Sequence, residues 1–375
     1  MLILQVAPEI GTATGVGGVA GNLEREWQAR GIPTARFTMT EAAGGWIPTP
    51  GPGVRGHLAL LVRVVWFSTV GTVLARRAIR RLPPEAIVVC HNDALVGDVY
   101  INHGVLLQAM RNRGKTALRI VRNPLHPFTI LRDAVRYRSR SVHRAVVSLT
   151  TDDESALRAS FGRLGPRSVV IGNGVDIQRW RPPTDEERER SRRELGLPEE
   201  AQVVLFVGHE YGRKGLPELV AAVAQLPDAY LVVVGGTSDL IAAQRRSSAA
   251  RDLGDRLRFT GALQDPRVAF AAADVLALPS AYESYGLVVL EALACGVPVV
   301  GTRTGCLPDV ITEGRNGALV ERTPASIVAG LTRVFESNRR ATREAARASA
   351  LEHSWARVAE DYLDLLHTLD RSRRL

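Results

Sequence analysis

Cysteine is scarce in this 375-residue chain, where Cys90, Cys295 and Cys306 are the only three. An odd number without close spacing argues against a disulfide framework or a zinc site and favours a reducing, cytosolic compartment. Aromatic residues are few, at 5%, and the basic residues sit on helices without stacking platforms, so nucleic acid is not expected as a partner. No uninterrupted run of about 20 apolar residues occurs, so no membrane-spanning helix is expected. The opening M-L-I-L-Q-V-A lacks the basic start and cleavage site of a signal peptide and reads as a strand. Lysine is the rarest charge carrier: of 48 basic residues only Lys115 and Lys214 are lysine.

What is present points to an α/β protein. Apolar residues make up 45%, and a chain of this length exceeds the roughly 250–300 residues at which single cores stop growing, so two domains are expected. The charge is unevenly divided. Residues 1–175 carry 22 Lys+Arg against 11 Asp+Glu, and the remainder 26 against 28, which sums to the net +9. All of the net positive charge therefore lies in the first half, ten basic residues against Asp133 alone falling within 101–150.

Buried strands alternate with helices along the chain. Leu2–Ala7, a loop, a helix over 19–30 and the strand T-A-R-F-T-M make a βαβ unit. Gly15-x-Gly17-x-x-Ala20 formally meets a dinucleotide fingerprint with Glu41 as its acid, but the glycines stand too far from the strand to serve it. Residues 57–81 form a very apolar helix with a basic end at Arg76, Arg77, Arg80 and Arg81. It reads either as a buried helix with a favourable cationic terminus or as a surface that meets a membrane or a lipid-linked acceptor. Strands follow at 86–90 and 98–102, leading into His91 and His103 respectively; basic helices follow over 105–144, and Thr151-x-x-Glu154 reads as a capping box.

One stretch organises the rest: A-Y-E-S-Y-G-L-V-V-L-E-A-L-A-C-G-V-P-V-V-G-T-R-T-G, residues 281–305. It predicts a strand, a loop bearing Glu283, a helix opened by Gly286 and ended by Gly296, then a second strand. Ser284, Tyr285, Gly286 and Leu287 fall at the helix N-terminus, where free N–H groups and the dipole suit a phosphate. Glu291 follows a little over one turn later. A carboxylate beside a phosphate site suits a sugar nucleotide.

This string resembles the E-x7-E signature of retaining glycosyltransferases of the GT-B fold, family 4. V-V-I-G-N-G-V-D-I-Q-R-W-R-P at 169–182 resembles the same family's interdomain hinge. The resemblance implies two Rossmann-like, doubly wound parallel-sheet domains facing across a cleft, with a C-terminal helix crossing back to the first. Their expected limits are 1–172 with about 353–375 for the acceptor, and 173–352 for the nucleotide-sugar donor. It further implies that Glu283 holds sugar hydroxyls, Glu291 the ribose, and Arg213 with Lys214 the diphosphate. Gly17 and Gly18 resemble a pair near the donor phosphate. His103 is expected by the anomeric carbon, with His91 as the alternative. His209 stands where members with a longer loop have arginine. A departing diphosphate develops charge that preorganised cations stabilise. No D-x-D motif appears, so no metal or other cofactor is expected.

The expected activity is sugar transfer from a nucleoside-diphosphate donor to an unidentified acceptor, a lipid-linked or anionic glycan precursor. The basic first half suggests an anionic membrane surface as a peripheral contact. Rival readings are a sugar-nucleotide epimerase on the same fold, a non-catalytic glycosyltransferase-like subunit, and a basic nucleic-acid binder.

Overall fold

The computed structural model describes the chain apart from residues 12–14, 52, 113–122 and 372–375. The chain forms two compact units: Met1–Gly174 with Trp355–Leu375, and Val175–Ser354.

The first unit is built on six parallel strands, β1 (Leu2–Val6), β2 (Thr34–Phe37), β3 (Ala86–Cys90), β4 (Val99–Asn102), β5 (Ala145–Ser148) and β6 (Arg167–Val170), in the order β2-β1-β3-β4-β5-β6. The second repeats the plan with β7 (Gln202–Val207), β8 (Ala229–Val234), β9 (Leu257–Gly261), β10 (Val275–Leu278), β11 (Val299–Gly301) and β12 (Gly317–Leu319), ordered β12-β11-β10-β7-β8-β9. Central strands such as A-I-V-V-C and V-L-A-L are buried at every residue. Helices cover both faces of a parallel sheet, so its strands are continuously apolar rather than alternating. In each unit the strand order reverses beside the first strand, between β1 and β3 and between β7 and β10. At such switch points the loops diverge and leave a crevice at the strand carboxyl ends.

The last helix, Trp355–Arg371, belongs to the first unit. Tyr362 meets Trp27 edge-on with ring centroids 6.4 Å apart, Trp27 Nε1 donates to the Ala359 carbonyl, and Arg30 donates to the Ala356 carbonyl at 2.9 Å. Val358, Ala359, Tyr362, Leu365, Leu366 and Leu369 are buried, a helical period of three and four.

Several local expectations change. The helix before β3 runs over Gly53–Ile79, interrupted by a π turn at Phe67–Gly71. Its apolar window has a mean hydropathy of 1.9, so by length and composition it could cross a membrane. Counting uninterrupted runs missed it because Arg63 breaks the run, whereas an average tolerates one charge. Nor is it a buried helix: Gly56, Ala59, Phe67, Gly71 and Ala75 are buried, while Val54, Leu58, Leu60 and Val73 are exposed. The basic stretch after β4 also spends charge internally. Arg136 is wholly buried, stacks 3.9 Å over Tyr100 and donates to the carbonyls of Asn92, Asp93 and Ala94. Arg132 pairs with Asp93 at 2.6 Å. Of the helices expected over 105–144, Leu106–Asn112 and Leu125–Arg138 are seen, and Lys115 lies outside the described residues. The cap expected at Thr151 is one residue earlier: Thr150 Oγ1 accepts from Asp153 N–H at 3.0 Å.

Candidate functional site

In the second unit the expected donor residues come from the two loops that flank the switch point. The loop after β7 turns through one short helix, Tyr211–Lys214, which ends at Gly215 with φ +80°. A side chain there would be strained, and its Cβ would lie 2.1 Å from the Pro279 carbonyl oxygen. Only glycine lets the two loops approach this closely. Ala281 N–H donates to the Arg213 carbonyl at 2.8 Å, and Arg213 Nη1 donates to the Tyr282 carbonyl. Arg213 and Lys214 are thereby aimed at the loop after β10.

Glu283 is the residue they meet. Its Oε1 accepts from Lys214 Nζ at 3.0 Å and from Ser280 Oγ at 2.7 Å, with Arg213 Nη1 at 3.4 Å. The carboxylate is buried and the lysine nearly so, at 7% and 14% side-chain exposure. An ion pair this poorly solvated holds its geometry without much screening. Oε2 takes none of the three donors. Behind Glu283, Gly305 at φ +57° would put a Cβ 2.9 Å from the Glu283 Cβ, so the loop after β11 closes the back of the site.

Beyond Glu283 the helix Leu287–Ala294 begins at Gly286, which is left-handed at φ +88°. Its first N–H groups open at the same end as Lys214, the arrangement that favours an anion. Ser284 is exposed, whereas Tyr285 is buried and its carbonyl accepts from Cys306 N–H at 2.7 Å. The Tyr285 side chain is therefore a packing element. Glu291 sits further along the helix, and burial pushes its carboxyl up to about 7, opposed in part by the charge of Arg179.

His209 directly follows β7 and Gly208. Its Nδ1 accepts from Gly236 N–H at 3.2 Å. An N–H donor requires a lone pair, so the ring proton of the neutral form is on Nε2. Tyr211 OH donates to the Gly235 carbonyl at 2.8 Å, joining the loops after β7 and β8.

The first unit carries the remaining expected residues. His103 and His91 are not alternatives in space, for their rings stack with centroids 5.8 Å apart at 22°. Gln5 orients His91. Its amide nitrogen donates to the Ala20 carbonyl at 3.0 Å, which turns its oxygen to His91 Nε2 at 2.7 Å and makes that nitrogen the donor. Burial lowers the His103 pKa to about 4 and that of His91 well below the usual range, so both rings are neutral. Gly17 and Gly18 lie in the first turn of the helix Val16–Ala29. A Cβ on Gly17 would meet the Glu9 carbonyl oxygen at 3.1 Å, so that glycine serves backbone packing. Glu41 accepts from Thr38 N–H and Oγ1, closing a local turn.

Sequence reasoning passed over Ser280 and Gln5. Gln5 had a signal: it is the one polar side chain in the otherwise apolar strand L-I-L-Q-V. Ser280 had none beyond standing three residues ahead of Glu283.

Residues 187–350 match the family model described as glycosyl transferases group 1. The chain is 38% identical over 206 residues to the D-inositol 3-phosphate glycosyltransferase of Corynebacterium jeikeium, covering 51% of this chain and 49% of that protein. It thus spans about half the length of the curated relatives it matches. Among solved structures, a glycosyltransferase involved in lipopolysaccharide biosynthesis superposes with a TM-score of 0.73 at 20% identity, over 97% of this chain and 99% of that one. Anabaena HepE in complex with UDP-glucose gives 0.66 at 18%, over 98% and 99%. At these identities the structural likeness concerns the fold.

Proposed function

We propose that this chain, whose residues 187–350 match the glycosyl transferases group 1 family and whose fold is that of solved GT-B glycosyltransferases, is a retaining glycosyltransferase using a nucleoside-diphosphate sugar. The observation that carries the reading is the meeting of Arg213 and Lys214 with Glu283 at the switch point of the second unit. In this reading a donor diphosphate takes over Lys214 and Arg213 as counter-ions, joined by the N–H groups at Gly286 and Leu287. Their release leaves the Glu283 carboxylate, still held by Ser280, to accept sugar hydroxyls. Glu291 accepts from the ribose, and the neutral His103 of the first unit faces the anomeric carbon. Two side-chain cations and a helix terminus stabilise the departing diphosphate in place of a metal. No third carboxylate stands out as a nucleophile, so retention proceeds by front-face attack within the ternary complex.

The acceptor is an anionic molecule. Support comes from the excess of basic residues in the first half and from the relatives' name, which specifies an inositol phosphate. The exposed helix Gly53–Ile79 supports a lipid-linked acceptor met at an anionic membrane surface. No acidic residue occurs between Glu41 and Glu85, a stretch that carries six arginines. The three cysteines are buried and unpaired, which suits a cytoplasmic location.

The direct test is donor turnover with a panel of nucleotide sugars in the presence of EDTA. The wild-type protein is expected to turn over one of them, and Lys214→Ala to lower kcat by roughly 10²–10³, as for loss of one charge-stabilising donor elsewhere. Unaltered circular dichroism of the variant separates chemistry from folding. Near-wild-type turnover by Lys214→Ala overturns the site assignment, and loss of activity in EDTA overturns the metal-free reading.

A further inference from the structure

The second unit has an arginine cluster at the amino ends of its strands, the end opposite the Glu283 crevice. Asp274 immediately precedes β10 and is the cluster's central carboxylate. Its Oδ1 accepts from Arg188 at 2.7 Å and pairs with Arg339 at 3.2 Å; its Oδ2 accepts from Arg192 at 2.8 Å and from Val203 N–H at 2.9 Å. Four donors fill the roughly four lone-pair sites of a carboxylate. Nothing is left for a fourth arginine, Arg343, one turn beyond Arg339 on the helix Arg339–Glu352. Arg343 Nη1 is buried and has no hydrogen-bond partner. Burial and the charges of Arg339 and Arg192 pull its pKa below the ordinary arginine value, and Arg188 is pulled down to about 10 by the same causes. Asp274 offsets these effects only in part, and a half-buried cation with an unpartnered nitrogen is a costly arrangement for a folded protein to keep.

The helix start compounds the imbalance. Asn338 caps the helix, and the first turn holds Arg339 and Arg340 with no acidic residue. Cations at an N-terminus oppose the dipole, so positive potential gathers where helical N–H groups also open. A cavity of about 180 Å³ is lined here by Arg339, Arg343, Ser337 and Thr342 together with the carboxylates Asp274 and Glu200. A neighbouring cavity of about 560 Å³ shares Arg339 and Arg343 and reaches Arg188 and Arg192. Exposed Asp185, Glu189, Glu199, Glu200 and Glu344 also line the larger cavity. These carboxylates repel a polyanion but leave room for one small anionic group.

We propose that this cavity binds a phosphate group, as inorganic phosphate or as the phosphomonoester end of a small metabolite, with Arg343 and Arg339 as its principal ligands. The bound anion supplies the counter-charge that Asp274 cannot. The Ser337 and Thr342 hydroxyls, 2.9 Å apart, line the same cavity and complete a polar wall. The site is separate from the donor crevice because the two lie at opposite ends of the same strands.

The test is thermal melting of the full chain in phosphate, with ionic strength held constant by sodium chloride. Phosphate tenfold above its Kd is expected to raise Tm by roughly 3–6 °C. The rise persists in Lys214→Ala, is lost in Arg343→Met and is reduced in Arg339→Ala, a substitution at an exposed position that leaves folding intact. Without phosphate, Arg343→Met melts no lower than wild type, since it removes an uncompensated charge. Glycerol phosphate producing a larger rise than inorganic phosphate identifies a metabolite as the source; an equal or smaller one identifies free phosphate. A phosphate response that Lys214→Ala abolishes and Arg343→Met retains overturns the proposal, as does the absence of any response. Either result leaves the glycosyltransferase reading standing, because that rests on donor turnover.

Discussion

Glu283 and Glu291 show how two identical side chains eight positions apart acquire different chemistry from their surroundings. Glu283 is held by a lysine, a serine and an arginine. Glu291 is partly buried, with Arg179 as its main opposing charge, and the loss of solvent raises its pKa to about 7. The sign of the consequence follows from proton linkage. Between about pH 4.5 and 7 the native state retains a proton that the unfolded chain has lost, so stability falls as pH rises through that window. The cost above pH 7 is of order 3 kcal/mol. Glu291→Gln is therefore expected to melt several degrees above wild type at pH 8 and at the same temperature near pH 4.5, while binding the donor more weakly. Melting curves of both proteins at the two pH values check this; an offset independent of pH overturns it.

Among the elements, the helix Gly53–Ile79 is the one whose composition and packing disagree. A helix apolar on every side is normally buried, yet only 28% of its most apolar window is. Gly56, Ala59, Gly71 and Ala75 are buried and Val62, Leu74 and Ile79 pack against the core, while Val54, Leu58, Leu60 and Val73 are exposed. Val54 and Leu58 are 86% and 60% exposed. Changing both to Asp removes little from the folded unit but places charge where apolar contact with lipid is expected. The double variant should keep its Tm and lose at least tenfold in binding to vesicles containing anionic lipid, measured by flotation at low salt. Wild-type binding that is indifferent to anionic lipid content removes the membrane from the functional reading.

For the whole molecule, the final helix determines whether the first unit has a complete core. It covers Trp27, which has no exposed surface, with six buried side chains of its own. At roughly 1.5–3 kcal/mol for each large apolar side chain, that burial is comparable with the 5–15 kcal/mol by which a domain is stable. A chain ending at Ser354 should bind a hydrophobic dye and lose the first unit's melting transition. Calorimetry that shows both transitions intact in the shortened chain disproves this.

Much of this protein was determined by sequence alone. Strand positions were legible because parallel strands buried on both faces are uninterrupted apolar runs between glycine-rich loops. The Glu283–Glu291 segment was legible because its strand, loop, capped helix and second strand are local features with local causes. Other features depend on contacts between residues far apart in the chain, and only the tertiary structure decided them. Lys214 meets Glu283 across 69 residues because β7 and β10 are neighbours in the sheet. His91 and His103 stack because β3 and β4 are paired neighbours in the sheet. Arg132 and Arg136 were counted as surface charge until packing turned them inward. Arg343 was one arginine among many until Asp274 was seen to be filled by others. Local periodicity follows from neighbours in sequence, whereas charge compensation and close approach follow from neighbours in space.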